Sequence, residues 1–224
     1  MHGDVAAFSR GIKGQVRLVA SASAIAESLL DDMAVFMRQP EHREIKVTIE
    51  ERFSRDLVRV VRDGGASLGV CWDSVDFEGL EHRPYHSDEL VLAVHVDHPL
   101  ASRRNLRFEQ TLGYEHVGLP PASAVHTMLH RAAARAGSAM TYRAVVSNFD
   151  ASLRVVAANL AVSVIPRQVT LRAHLDGVKA IPLTDAWAHR QFAVCFRRSE
   201  AQQPAVARLV EFLVARAQVR HPRT

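Results

Sequence analysis

The chain has few cysteines, few aromatic residues and no long apolar run, and each shortage excludes a class of protein. Its 224 residues include 2 cysteines, too few for a disulfide-stapled secreted scaffold. Both cysteines, Cys71 and Cys195, lie in apolar runs typical of strands (GVCW and FAVCF), which predicts buried free thiols. No apolar run reaches the roughly 18 residues of a membrane helix, and the first five residues lack the basic and apolar regions of an export signal. We therefore expect a cytoplasmic protein with no membrane partner.

A shortage of catalytic motifs argues against an enzyme. The sequence has no G-x-S-x-G elbow, no phosphate-binding loop and no G-x-G-x-x-G. His126 and His130 have the i, i+4 spacing of a metal pair, but Thr127 stands where the H-E-x-x-H motif has its glutamate, so a solvated pair is favoured. No set of residues assembles a nucleophile, a base and an oxyanion hole. The sequence predicts no catalysis, no cofactor and no metal site.

The net charge of +4 suggests a nucleic-acid partner, but the charges are not arranged for one. The arginines are spread along the chain with acidic residues between them, and there is neither zinc-finger spacing nor an aromatic platform for single strands. A helix-turn-helix needs two short helices, and too few residues precede the first predicted strand to form them. We expect this segment to have no base-reading element of its own.

What the sequence does have is a regular alternation of strand-like and helix-like segments. Hydrophobic residues make up 48% of the chain, enough for one large domain or two small lobes. Strand, helix, strand, helix and strand are expected between residues 16 and 70. Later strands are predicted at 90–96, 117–119, 143–146, 161–165 and 191–196, and later helices at 124–136, 150–159 and 204–217. Such alternation implies mainly parallel sheets with covered faces.

The most informative stretch is 145–166, VVSNFDASLRVVAANLAVSVIP, which has the order strand, helix, strand. Its polar segment 147–150 offers N-caps, and apolar residues follow at helical spacing. This stretch resembles the effector domain of LysR-type transcriptional regulators, in which a serine-phenylalanine-acidic start is followed by V-A-A-G-x-G and a strand that ends in proline. Asn159 and Ala161 stand where that family mostly has glycine.

The resemblance continues in order over roughly residues 11–217. The opening strand GQVRLVA leads through serines at 21 and 23 into the helix AIAESLLDDMAVFMRQP and the strand IKVTIE. An S-x-x-L segment at 54–57 and the strand SLGV follow, with Ser67 in place of the usual aspartate. The segments DELVL and HPLA then match the family signature that marks the passage between two lobes. No single tetrapeptide is specific, but the ordered set is.

The resemblance implies an α/β fold of two doubly wound lobes joined by two crossing strands, like a type-2 periplasmic binding protein. Residues 14–94 and 193–219 would form lobe I, residues 95–192 lobe II, and residues 220–224 a tail. Residues 1–13 would be the remnant of a linker helix, which in this family follows a helix-turn-helix domain. The implied function is a ligand-sensing regulatory domain without its DNA-binding domain. The alternative is a solute-binding protein of a transport system, which shares the fold; the linker-like start and the DELVL and HPLA pair favour the regulator.

The effector is expected in the cleft between the lobes, where strand carboxyl ends and helix amino ends converge. Backbone N–H groups and hydroxyls at the starts of helices can hold a small anion, and the candidate hydroxyls are those of Ser21, Ser23, Ser54 and Ser123. Plain N-capping is the alternative for each serine. The resemblance implies that the hydroxyls of Ser21 and Ser54 hold a carboxylate.

Three aromatic residues and one arginine are candidates for the rest of the effector site. Phe53, Trp72 and Phe149 would line it, although the core is the usual place for an aromatic residue. Phe149 matches the family position that faces the cleft. Arg52 would pair with an anion, although exposed arginines are usually only solvated. An organic acid or a similar anion is therefore the expected effector.

The first predicted helix is apolar over an arc broader than one sheet face requires. The resemblance implies that two such domains pair antiparallel through this helix and the strand IKVTIE, as a homodimer or within a tetramer. Leu29, Met33 and Met37 are the residues expected at that interface. DNA would be contacted only through the absent N-terminal domain.

Overall fold

A computed structural model describes residues 12–220 of the chain and the side chains of residues 12–217. The predicted linker remnant at 1–13 and the tail at 220–224 therefore lie almost entirely outside the described residues. The described chain divides into two compact units. Unit 1 contains the residues up to His86 and those from Gln191 onward, and unit 2 contains residues 87–190.

The sheet of unit 1 is built around β1 (Gly14–Ala20), which pairs in parallel on both sides. Its neighbours are β2 (Ile45–Glu51), with which it is in register over its whole length, and β3 (Leu68–Trp72). β9 (His189–Phe196) runs antiparallel beside β3 and gives the order β2-β1-β3-β9. Because β1, β2 and β3 are parallel, their carboxyl ends meet at one edge of the sheet.

Three helical segments cover this sheet. The chain leaves β1 through α1 (Ala22–Ala24), a π-helical run (Ile25–Leu29) and α2 (Leu30–Arg38), which join without a break and are together called the first helix. α3 (Ser54–Arg62) connects β2 to β3, and α7 (Pro204–Arg220) follows β9. None of the helices in residues 12–220 is long and apolar enough to span a membrane.

The two faces of β1 explain why helices lie on both sides of the sheet. Val16 and Leu18 pack with the first helix and α7 in one buried cluster, whereas Val19, one residue on, packs with α3 in another. This is the period-two alternation of a strand whose faces are both covered. Gly69 permits the close approach of α3, because a Cβ there would lie 2.5 Å from Cδ2 of Leu57.

Cys71 and Cys195 are buried free thiols in the cluster beneath α3, as predicted. A hydrogen bond with Cys195 and burial raise the pKa of the Cys71 thiol well above its usual value. The reactive thiolate is therefore disfavoured at this position.

β4 (Glu81–His95) carries the chain into unit 2, and β9 returns it. Within unit 2, β4 pairs antiparallel with β7 (Ser163–Pro166) and β8 (Val178–Pro182). A smaller parallel pair consists of β5 (His116–Gly118) and β6 (Tyr142–Val145). The helices of unit 2 are α4 (Ala124–Arg135), α5 (Phe149–Ala157) and α6 (Arg167–Ala173).

The predicted alternation of strands and helices is confirmed, and most predicted ends lie within three residues of the observed ones. Asn159, which stands at a family glycine, adopts a left-handed conformation with φ of 54°, as glycine readily does. α6, β8 and the π-helical run were not predicted from the sequence. The unit boundaries fall inside β4 and β9, at 86/87 and 190/191. The sequence-based lobe boundaries at 94/95 and 192/193 stay a prediction.

Candidate functional site

The carboxyl ends of β1, β2 and β3 bring six of the candidate residues to one edge of unit 1. The Ser21 N–H donates to the Val70 carbonyl of β3 at 3.0 Å, and the Arg52 N–H donates to the Ala20 carbonyl of β1 at 2.9 Å. The starts of the first helix and of α3 are thus held side by side. We call this edge the serine edge, and it comprises Ser21, Ser23, Arg52, Phe53, Ser54 and Trp72.

Ser21 is the N-cap of the first helix. Its backbone is extended, and its Oγ accepts from the Ala24 N–H at 3.4 Å. A serine hydroxyl that accepts one hydrogen bond still has a proton to donate, so this cap leaves Ser21 able to bind an acceptor. Ser23 is buried within the first turn. The π-helical run that follows is an uncommon element, found frequently at functional sites.

Ser54, the first residue of α3, is the least satisfied polar group of the serine edge. The residue is only 6% exposed, and its Oγ has no hydrogen-bond partner among the residues that the structure describes. Phe53, at the N-cap position, supplies no side-chain cap to the helix. Buried hydroxyls are nearly always paired, and helix N–H groups need acceptors. The start of α3 therefore offers an unpaired hydroxyl beside an uncapped helix end.

The charged and aromatic residues of the serine edge differ in their solvent exposure and in their contacts. Arg52 is half-exposed and forms an ion pair with Glu50. Phe53, which lies between two polar residues in the sequence, is 40% exposed. Trp72 is partly buried and packs against the cluster that contains the first helix. Phe53 is thus the more exposed of the two aromatic residues at the serine edge.

Asp73 follows Trp72 and adds a carboxyl group near this edge. Its N–H donates to the Gln191 carbonyl at 2.9 Å. Burial raises the pKa of the Asp73 carboxyl, and the charge of His82 works in the opposite direction. The Asp73 carboxyl therefore keeps its proton to a higher pH than an isolated aspartate does.

The two candidates in unit 2 lie at the starts of helices. Ser123 is the N-cap of α4, with its Oγ accepting from the His126 N–H at 3.1 Å. Phe149 is the first residue of α5 and is buried within unit 2, while Asn148 provides the cap by accepting from the Ala151 N–H at 2.9 Å. Ser123 therefore has the capping role that was its alternative, and an effector role for either residue stays a prediction.

The residues predicted at a dimer interface differ in their exposure to solvent. Leu29 and Met33 are buried in the core of unit 1, whereas Met37 is 46% exposed. Leu30, which follows the π-helical run, is equally exposed. A π-helical turn holds more residues than an α-helical one, so it shifts which positions face the sheet. Sequence patterns do not indicate this shift, and the exposed apolar residues of the first helix are Leu30, Val35 and Met37.

Comparison with known proteins identifies the family. Residues 9–218 match the family described as LysR substrate binding domain, and the chain belongs to it. The chain is 23% identical over 211 residues to the "Uncharacterized HTH-type transcriptional regulator YbhD" of Escherichia coli (strain K12). That match covers 94% of this chain and 65% of YbhD, so the chain spans less than two thirds of this relative.

Solved structures of such domains share the fold. The effector binding domain of QuiR in complex with shikimate has a TM-score of 0.80 and 16% identity, covering 92% of this chain and 98% of that chain. The BenM effector binding domain with its effector benzoate has a TM-score of 0.79 and 14% identity, covering 94% of each chain. These comparisons confirm the predicted family. They also confirm the predicted fold class, which is that of type-2 periplasmic binding proteins. The family is a regulatory ligand-binding domain and not an enzyme class.

Proposed function

We propose that this chain is the ligand-sensing domain of a LysR-type transcription factor, and that it binds a small carboxylate at the serine edge. The observation that carries the proposal is the buried, unpaired hydroxyl of Ser54 at an uncapped helix start. Two observations support the ligand class: the chain belongs to the LysR substrate binding domain family, and the solved domains named above hold shikimate and benzoate, which are both carboxylates.

The proposed binding mode uses neutral donors. The Ser54 hydroxyl and the free N–H groups of α3 donate to the carboxylate, with Ser21 donating its remaining proton from the start of the first helix. Helix starts favour anions because their N–H groups are unpaired and the helix dipole is positive there. Ser23 lies within the same turn, and Phe53 and Trp72 supply apolar surface for the body of the ligand. Arg52 can bind the carboxylate only after its ion pair with Glu50 is broken.

Signalling follows from a difference in affinity between two states of the domain. A ligand shifts such an equilibrium only by as much as it prefers one state over the other. We propose that the shift passes to an N-terminal DNA-binding domain in a cytoplasmic homodimer or tetramer. The name of the relative YbhD, an HTH-type regulator longer than this chain, supports the DNA partner. Family membership favours this reading over a transport protein of the same fold.

A ligand screen with matched variants tests the proposal. Thermal shift of the chain is measured with small organic acids, including shikimate and benzoate, and with the corresponding amides or methyl esters as neutral controls. A true effector stabilises the folded chain by RT ln(1 + [L]/Kd), so the melting temperature continues to rise as the ligand concentration increases. We expect acids to stabilise the chain and their neutral analogues to fail. Stabilisation by neutral analogues alone would contradict an anion site.

A further inference from the structure

We infer that His126 and His130 form a binding site for a late first-row transition metal ion, of the type Ni²⁺, Cu²⁺ or Zn²⁺, on the surface of α4 in unit 2. The two rings are on successive turns of α4, with their centroids 4.2 Å apart. This site lies in unit 2 and is independent of the serine edge in unit 1. It concerns the histidine pair that the sequence alone indicated as solvated.

The structure holds the His126 ring in a defined place. Its Nδ1 is buried and has no hydrogen-bond partner among the described residues. The ring stacks on Tyr142 of β6, with centroids 5.7 Å apart and an angle of 12° between the planes. Because Nδ1 is turned into the protein, Nε2 is the nitrogen that is left to bind a metal. Such a packed ring loses less freedom on binding than a solvated one does.

His130 is exposed, and its ring is also oriented. Its Nε2 lies 3.1 Å from the Tyr142 hydroxyl. Tyr142 itself is fixed against β5, since a Cβ at Gly118 would lie 2.5 Å from its Cε1. Tyr142 therefore packs against one histidine and hydrogen-bonds to the other. With Nε2 engaged by the Tyr142 hydroxyl, Nδ1 is the His130 nitrogen left to bind a metal ion. A partner on the other ring nitrogen orients an imidazole ligand and raises the affinity of a metal site.

The chemistry of the pair selects the class of ion. The neutral ring is the form of histidine that binds a metal ion, so binding weakens as the pH falls. No group of three or more histidine, cysteine or acidic side chains suited to a metal occurs among residues 12–217, so water completes the coordination. Two imidazoles without a carboxylate suit Ni²⁺, Cu²⁺ and Zn²⁺ rather than Mg²⁺ or Ca²⁺.

Isothermal titration calorimetry with NiCl₂ and ZnCl₂ on the untagged chain tests the site. His2 and His221, which lie outside the described residues, are changed to glutamine in every protein used. We expect one Ni²⁺ per chain, and at least a tenfold loss of affinity in His130→Gln and in His126→Gln. His189→Gln, which removes an exposed histidine elsewhere in unit 2, is the matched control and should bind like the parent.

Two outcomes would overturn the inference. One is a parent chain that binds neither ion at millimolar concentration. The other is a His130→Gln variant that binds as the parent does. Since His130 is exposed, this variant tests the site even if His126→Gln does not fold. Tyr142→Phe should still bind Ni²⁺, but more weakly than the parent, because the hydroxyl orients His130 without coordinating the ion.

Discussion

Asp88 and Arg190 form a buried ion pair with two contacts between β4 and β9. The Arg190 Nε donates to Asp88 Oδ1 at 2.7 Å, and Nη2 contacts Oδ2. Their side chains are 0% and 1% exposed, and the residues are 102 positions apart in the sequence. A pair so fully removed from water is stable only while both partners and their hydrogen bonds are present. It sits where the two strands enter unit 2, close to both unit boundaries.

Removal of one partner of this pair should be strongly destabilising. We expect Asp88→Asn to lower the free energy of unfolding by about 3–5 kcal/mol, because it removes the negative charge that contacts the buried Arg190 guanidinium twice. The double variant Asp88→Leu with Arg190→Met should lose less than the sum of the single variants, since it buries no unpaired charge. Urea unfolding of the four proteins measures both effects. Additive losses would mean that the two side chains act independently.

His116 should make unit 2 sensitive to mild acid. Burial lowers the pKa of His116 to about 4, against an ordinary value of 6.5, while a hydrogen bond to the Tyr114 carbonyl opposes the shift. As the pH falls from about 6.5 to about 4, His116 is therefore protonated in the unfolded chain but stays neutral in the folded chain. This difference corresponds to about 3 kcal/mol of stability lost over that interval.

The comparison of His116→Gln with the parent isolates this contribution. We expect the variant to lose less stability than the parent between pH 6.5 and pH 4, whatever its stability at neutral pH. Chemical denaturation at several pH values gives the free energy of unfolding of each protein as a function of pH, and the two slopes are compared. Parallel slopes would show that His116 titrates at its ordinary pKa.

The proposed dimer predicts a specific effect of charge on the first helix. Met37→Asp should leave the chain folded and make it monomeric, because it places an unpaired charge in the interface. Met33→Asp would instead unfold unit 1, since Met33 is buried in its core. Light scattering at tens of micromolar, with circular dichroism as the check on folding, distinguishes the two. A monomeric parent chain would refute the dimer.

The chain should bind duplex DNA only weakly and without sequence preference. Its arginines are distributed along the sequence and many pair with acids, as Arg59 does with Asp56. We expect a dissociation constant no tighter than the roughly 10⁻⁴–10⁻⁶ M typical of non-specific contacts at physiological salt. Fluorescence anisotropy with two unrelated duplexes at two salt concentrations tests this. Nanomolar, sequence-selective binding would reveal a base-reading element in this segment.

The sequence was sufficient for the order of elements because each strand and helix carries its own local signal. GQVRLVA forms β1 over its predicted length, and Ser21 caps the helix after it. Features that depend on contacts distant in sequence were not predictable in the same way. Asp88 lies in the DELVL signature, but nothing near it indicates Arg190. The π-helical run has no local signal in the sequence either, and Leu30 rather than Met33 is exposed on the helix that contains it.

The candidate site likewise combines features that local sequence patterns predict with features that they do not. Sequence patterns and the family resemblance selected the serines at the starts of helices, and the serine edge does bring Ser21 and Ser54 to the ends of neighbouring strands. What the patterns did not distinguish is which hydroxyls are already used. Ser21 and Ser123 accept hydrogen bonds as caps, whereas Ser54 has no partner among the described residues. Such a difference is decided by side-chain geometry and not by residue type.

The central claim is that the Ser54 hydroxyl is kept for a ligand, and Ser54→Ala tests it most directly. Deleting an unpaired buried hydroxyl should leave the melting temperature unchanged or raise it, while deleting the Ser123 cap should cost about 1 kcal/mol of stability. Titration calorimetry with a carboxylate found in the screen is performed on the parent, Ser54→Ala and Ser123→Ala. We expect Ser54→Ala to bind more weakly by about 1–3 kcal/mol with undiminished stability. Unchanged affinity together with a lowered melting temperature would show that Ser54 serves only the fold.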